Sequence, residues 1–340
     1  MKKTVFATGL FLAGLVPSHA LNITLNAPVG MDPNALSGFQ MAADYWQSKL
    51  FDNVTVNIDI NFSALAPGVL GSTGSSQDVF AVADVMGALA GDITSANDAL
   101  AVGHLPALSA LGAISFRTQK NTEGGSTTIT LDNDLVGTAA NNNRYFALTT
   151  ANAKALGAVY APTDVDASIE FSSSFAWDFD NSNGVGAGLQ DFVGVAIHEM
   201  GHALGFISGV DDVDFYISNP LDLDQFAVFN TLDLYRYSAA NTLNLGAGAT
   251  AYFSLDGGTT NLGLFSTGSL HGDGRQASHW KDNLGLGIMD PTANPAGQIN
   301  TVTALDLTAF DVIGWDLVPE PSAVMMGCAG LLAALTRRRR

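Results

Sequence analysis

The 340-residue chain has a single cysteine, Cys328, so no disulfide can form within it. It carries only 14 Lys and Arg against 32 Asp and Glu, a formal charge of −18. So acidic a surface repels a phosphate backbone, which excludes nucleic acid as a partner. Charged residues make up 14% and hydrophobic ones 47%. That balance excludes an acidic disordered chain, whose signature is low hydropathy beside high charge. No self-similarity at a period of about 20–50 residues is present, which excludes solenoids and propellers. Glutamate is scarce: Glu123, Glu170, Glu199 and Glu320 stand beside 28 Asp.

Six of the fourteen basic residues sit at the ends: Lys2 and Lys3, and Arg337 to Arg340. Between Leu21 and Val318, eight basic residues face 31 acidic ones, a balance of −23. Residues 1–20 read as a secretory signal peptide. Lys2 and Lys3 precede the apolar Val5–Val16, and Ser18-His19-Ala20 places small residues where signal peptidase cuts. Residues 318–340 carry Val318-Pro319-Glu320-Pro321-Ser322, then apolar Ala323–Leu335, then the arginines. The apolar run is short of the roughly 20 residues of a full bilayer span, and arginines hold such an end on the cytoplasmic side. This arrangement resembles the PEP-CTERM sorting signal of Gram-negative bacteria. The resemblance implies handling by an exosortase-type enzyme and delivery to the cell surface or extracellular matrix, with membrane contact only through this segment. A plain tail anchor would give the same topology without cleavage. Cys328 falls here, so the mature chain is expected to be cysteine-free and to rely on its core and on metal ions.

Residues 21–317 are expected to form the working domain, of mixed α/β (α+β) class. Apolar spacing predicts strands at 21–25, 54–62 and 167–171. Helices are expected at 33–50, near 78–90 and 95–102, at 149–157, over 190–206 and at 304–312. The opening strand–helix–strand should pair in parallel through a right-handed crossover.

The chemistry concentrates in the 190–206 helix, which Asp191 is placed to cap. It contains His198-Glu199-Met200-Gly201-His202. Residues four apart share a helix face. Two imidazoles at that spacing can hold Zn²⁺, with the intervening Glu turned toward the water the metal activates. With this chain's His and Glu content the three fixed residues would occur by chance about 0.001 times. A catalytic zinc needs a third protein ligand and one open position. No Glu lies between Glu199 and Glu320, which excludes a downstream Glu ligand. The remaining mature histidines are His104, His271 and His279, with Asp211 or Asp212 as outside candidates. His104, beside Pro106, reads as a surface residue, and Gly205 suits a turn closing the helix.

His279 lies in Ser278-His279-Trp280-Lys281-Asp282, ten residues before Met289-Asp290-Pro291. With the helix motif, this resembles the leishmanolysin-like branch of the metzincins, zincin-fold zinc peptidases in which a long insertion precedes a His-Trp third ligand and a methionine turn. The closing Ala309-Phe310-Asp311-Val312-Ile313-Gly314-Trp315, the upstream Asp178-Phe179-Asp180 and the PEP-CTERM tail look like a bacterial family of sorted metalloproteases. The resemblance implies His279 as third zinc ligand and Met289 as a non-coordinating residue under the metal. It also implies an N-terminal mixed sheet with the active-site helix to about 206, and a loop-rich C-terminal subdomain over about 207–317. The sequence departs from the pattern in several places. Ser208 stands where the commonest metzincin signature has its third His, cysteines are absent, and the last tyrosine, Tyr252, precedes the Met-turn.

These residues predict a secreted zinc endopeptidase acting on protein or peptide substrates, with Glu199 passing a proton from water to the leaving amine. An extended substrate is expected to add to an edge strand, Ala167–Phe171. The alternative is a non-catalytic matrix or adhesion protein with a structural or vestigial metal site. Asp178, Asp180, Ser182 and Asp191, and Asp211, Asp212 and Asp214, invite a structural Ca²⁺, although solvated turn residues explain them equally well.

Overall fold

The computed structural model describes residues 21–137 and 140–319. The expected signal peptide, and the sorting segment beyond residue 319 with Cys328, lie outside them. The class is mixed, with eight α-helices and several small sheets among the described residues.

The chain opens as its patterning predicts. Strand β1 (Asn22–Asn26) leads to helix α1 (Pro33–Lys49) and strand β2 (Thr55–Ser63), and β1 and β2 pair in parallel with Ile23 opposite Val56. Asp32 caps α1 by accepting from the Asn34 N–H at 2.7 Å, and Pro33 follows where its missing N–H costs nothing. Helix α1 buries Ala35, Phe39, Ala42, Ala43 and Trp46 on one face.

The Ala-, Gly- and Ser-rich stretch that follows holds two strands the sequence conceals, β3 (Gly71–Ser75) and β4 (Gln77–Ala81). Helices α2 (Val82–Gly91) and α3 (Ala96–Val102) come next. The helix expected from residue 78 therefore begins four residues later, because Gln77–Ala81 pairs with a later strand. After β5 (Phe116–Thr118) and β6 (Thr130–Asp132) come α4 (Asn141–Arg144), β7 (Tyr145–Thr149) and α5 (Thr150–Ala155). Strand β4 lies antiparallel on β7, with Phe80 opposite Phe146.

Strand β8 (Ala167–Ser172) completes a four-stranded sheet in the order β1-β2-β8-β3. The first three strands are parallel and β3 is antiparallel. Here an expectation is corrected: Ala167–Phe171 lies inside the sheet, between β2 and β3, and the edge is Gly71–Ser75. Alternation marks β8 as a strand but cannot reveal a neighbour made of glycine, serine and threonine.

Short β9 (Trp177–Asp178) and β10 (Gln190–Asp191) pair in parallel and lead into helix α6 (Phe192–Ala203), followed by α7 (Val210–Ser218). Loops then dominate as far as helix α8 (Ala304–Val312). They enclose β11 (Arg236–Ala239), β12 (Thr242–Leu243), β13 (Tyr252–Phe253) and β14 (Gly263–Leu264), an antiparallel set in the order β12-β11-β13-β14. No described helix is long and apolar enough to cross a membrane.

Helix α6 is anchored through aromatic rings. Phe192 packs against Phe39 at 5.0 Å, Phe171 at 4.7 Å, Trp177 at 5.3 Å and Phe179 at 4.9 Å between ring centroids. Gly38 makes room for it, since a Cβ there would lie 2.4 Å from the Phe192 ring. The Trp46 indole donates to the Ile197 carbonyl at 3.0 Å and the Trp315 indole to the Leu204 carbonyl at 2.8 Å, tying α6 to both ends of the domain.

One acidic cluster bears on stability. Asp52, Asp98, Asp311 and Asp316 surround Asp92, and none of the five forms an ion pair with a described Lys or Arg. Burial and then the neighbouring carboxylates push Asp52 up to about 7 and Asp92 up to about 8. Both groups therefore hold protons more tightly folded than unfolded, so their contribution is full at acid pH and is lost as pH rises toward 8. Asp92→Asn should raise the thermal midpoint by a few degrees at pH 8, with the gain shrinking at pH 5. A gain equal at both pH values would show that the carboxylates do not repel one another as described.

Candidate metal centre

Asp191 starts α6 by accepting from the Gly194 N–H at 2.9 Å and from the Asn300 N–H at 2.8 Å. One turn apart on the same face, His198 and His202 project their rings to a common point, where His279 joins them. The His202 Nε2 is 3.1 Å from the Nε2 of His198 and 3.1 Å from that of His279. Each ring is oriented by a main-chain carbonyl at its other nitrogen. The Nδ1 of His198 donates to Ile288 O at 2.7 Å, that of His202 to Phe206 O at 2.8 Å, and that of His279 to Gln276 O at 3.2 Å. A carbonyl can only accept, so Nδ1 carries the proton and each Nε2 presents a lone pair to the shared point. Burial, then the charge of His198, pulls His202 down to about 3. Burial and the other two rings also hold His279 well below its usual range. These two rings are neutral at neutral pH, and three nitrogen donors with space beside them suit a divalent metal of the zinc type.

Local sequence explains these positions. Gly205, at φ +113°, turns the chain sharply after the helix so that Phe206 O comes back to His202. His279 is fixed through its neighbours. The Asp211 carboxylate accepts from the Ala277 N–H at 2.6 Å, the Ser278 N–H at 3.1 Å and the Ser278 hydroxyl. Asp211, an outside candidate for the third ligand, thus positions the loop that carries it. Asp212 lines a nearby cavity and is raised to about 6 by burial, then by Asp211 and Asp233. His271 sits apart, its Nε2 2.8 Å from the Ser218 hydroxyl, and His104 is exposed on the Leu100 carbonyl. Ser208 donates to Asp233 at 2.6 Å, and its N–H donates to the Ser278 hydroxyl at 2.9 Å.

Met289 is fully buried, and a Cβ on Gly201 of α6 would lie 2.6 Å from its sulfur, so the methionine packs directly under the helix motif. Its turn hangs on Asp306, a fully buried carboxylate. Asp306 accepts from Ile288 N at 2.9 Å, Met289 N at 3.3 Å, Thr303 N at 2.7 Å and the Trp280 indole at 2.8 Å. Sequence reasoning missed Asp306, although Thr303-x-x-Asp306 is a legible capping box at the start of α8.

Glu199 is 7% exposed. Burial raises its pKa, while His198 and a hydrogen bond from Thr73 oppose the rise. The Thr73 hydroxyl, on edge strand β3, lies 2.7 Å from Glu199 Oε2 and 2.9 Å from the Glu199 carbonyl. Gly71 lets that strand close in, since a Cβ there would lie 2.6 Å from the Phe171 ring and 3.2 Å from Glu199 Oε1. Two cavities, of about 940 and about 580 Å³, open on either side of Glu199 and share Gly71, His198, Arg275 and Pro291. Arg275 is the one Lys or Arg lining them among the described residues, its Nε donating to Asp282 at 2.9 Å. Neither Thr73 nor Arg275 carries a sequence signal of its role, because only folding brings them to the helix.

The Asp groups that invited calcium are engaged otherwise. Asp178 accepts from Gly186 N, Asp180 from Ser182 N, and Asp214 from Leu270 N and His271 N. Among the described residues two groups gather ligand atoms closely enough for a metal, the three histidines and Asp132, Asp134 and Asp224. The chain matches no protein-family model, no curated protein and no solved structure.

Removing the support of the third ring should loosen the donor set. Asp211→Ala is expected to weaken zinc binding about 10–100-fold in competition with a chromophoric chelator. Unchanged affinity would mean that the 276–279 loop holds His279 unaided.

Proposed function

We propose that this chain is an exported zinc endopeptidase of the leishmanolysin-like metzincin type, acting on protein or peptide substrates with Glu199 as general base. One observation carries the reading: three Nδ1-protonated imidazoles point their Nε2 atoms at one place, with a buried glutamate beside them in a cleft bordered by a strand edge that is unpaired among the described residues. His198, His202 and His279 would hold the metal. A zinc ion held there would supply Lewis acidity, polarising the scissile carbonyl and bringing the pKa of a water toward about 7.

The rest is work for the chain's own side chains. Glu199 takes the proton of the attacking water and returns it to the leaving amine. The Thr73 hydroxyl holds Oε2, leaving Oε1 for the water. An extended substrate can add to the outer edge of β3, which has no partner among the described residues, and so lie across Glu199. Arg275 supplies positive charge where a tyrosine is lacking: its Nε is held by Asp282 and its outer nitrogens are available to a developing oxyanion. Met289 supports the histidines from below and takes no part in proton transfer. Export by signal peptidase, and sorting by an exosortase-type enzyme to the surface of a Gram-negative cell, belong to the same proposal and rest on residues 1–20 and 318–340.

A matrix or adhesion protein with a vestigial site would have no use for a buried, hydroxyl-oriented Glu199. The separating experiment is Glu199→Ala assayed for zinc content and casein cleavage. One equivalent of zinc should remain while cleavage falls by about 10²–10⁴-fold. Undiminished cleavage would overturn the mechanism, and a wild-type chain that binds zinc but never cleaves would favour the adhesion reading. Arg275→Gln should keep its zinc and lose on the order of 10²-fold in kcat with little change in KM. A change confined to KM would assign Arg275 to substrate binding.

A further inference from the structure

We infer that the smaller cavity at the histidines is a subsite for a lysine or arginine side chain of the substrate, with Asp212 as the carboxylate that selects it. This rests on the peptidase reading above and names the class of substrate that its cleft takes.

The cavity is placed to receive a side chain. Its lining runs along β3 into β4 through Ser72, Thr73, Ser75 and Gln77, and includes Glu199, His202 and His279. An extended chain added to the β3 edge therefore passes over it, with every second side chain turned to the same face. Its volume, about 580 Å³, accommodates a long side chain. The chemistry of its walls differs from that of the larger cavity. There Val69, Leu70, Phe175, Val195 and Ile288 supply apolar surface. Here Ile207, Val228 and Pro291 are outnumbered by hydroxyls and amides, and two carboxylates, Asp211 and Asp212, complete the wall. An apolar residue would desolvate those groups without bonding to them, whereas an ammonium or guanidinium donates to them.

Charge balance singles out Asp212. Asp211 is engaged by the Ala277 and Ser278 N–H groups and the Ser278 hydroxyl. Asp233 is engaged by the Ser208 hydroxyl and the Gly209 and Asn230 N–H groups. The fully buried Arg236 guanidinium attracts both carboxylates. Asp212, exposed in the first turn of α7, accepts no hydrogen bond and forms no ion pair among the described residues. Nearby cations are already held: Arg275 donates to Asp282 at 2.9 Å and Lys281 to Asp273 at 2.8 Å. One carboxylate on the cavity wall is thus left without a counter-charge. A basic side chain supplies it, and an acidic one is repelled.

The zinc-loaded full chain is incubated with a synthetic random-peptide library, and the cut sites are read by mass spectrometry. Lys and Arg should be enriched at one fixed position relative to the cut. Replacing that residue by Gln in a cleaved peptide should lower kcat/KM about 10–100-fold, the effect of one hydrogen bond to a charged group. In Asp212→Asn the Lys-to-Gln ratio of kcat/KM should fall to about 1. Asp212→Glu should keep the preference, and Asp212→Lys should shift it to Glu at that position. The ratio compares two substrates on one enzyme, so a variant's lower stability or zinc content cancels from it. Cleavage without a basic preference, or a preference that survives Asp212→Asn, would overturn this inference and leave the peptidase reading standing. A zinc-loaded wild type that cuts no peptide would overturn both.

Discussion

Three main-chain carbonyls set the geometry on which the centre depends. Ile288 O, Phe206 O and Gln276 O each take the Nδ1 proton of one histidine, fixing ring orientation and tautomer together. A carbonyl cannot be re-aimed without moving its backbone, so three separate stretches of chain have to be held still. Asp306 holds the first through Ile288 N and Met289 N, Gly205 turns the second, and Asp211 grips the residues after the third. A buried carboxylate, a half-buried one and a glycine thus do for this site what direct side-chain supports do elsewhere. They also explain why a loop-rich region can present a ligand accurately: its hydrogen bonds converge on a few acceptors instead of running along a ladder.

The aromatic packing performs the same task from the other side. Helix α6 must stay in place relative to β3 for Thr73 to reach Glu199. The Phe192 ring, wedged among Phe39, Phe171, Trp177 and Phe179, fixes the start of the helix. The Trp46 and Trp315 indoles fix its middle and end by bonding to its carbonyls. In a chain whose one cysteine lies outside the described domain, such interlocks carry the structural load.

Much of this was legible in the residues. The His198-Glu199-x-x-His202 spacing, the Asp191 cap, the opening β–α–β unit and helix α8 follow from local patterns, and the described structure contains each of them. His279 could be placed beside the pair only by resemblance, yet the structure brings its Nε2 to the same point. What escaped was non-local. Gly71–Ser75 has no apolar alternation and a single strand-forming residue, Thr73, and becomes a strand because β8 offers it an edge. Thr73 and Glu199, 126 residues apart in sequence, meet only in the folded chain. The Asp groups that stand out along the chain cap turns and loops, because closely spaced aspartates find their own backbone N–H groups before one another.

The composition of β3 has a further consequence. An exposed sheet edge is an invitation to another copy of the same chain, and edges that are long, flat and apolar nucleate aggregates. This one is five residues long and reads Gly-Ser-Thr-Gly-Ser, with poor β-propensity and no apolar side chain to drive pairing of copies. The strand that patterning could not detect is therefore also one on which identical molecules gain little by stacking, so it can stay open at high protein concentration.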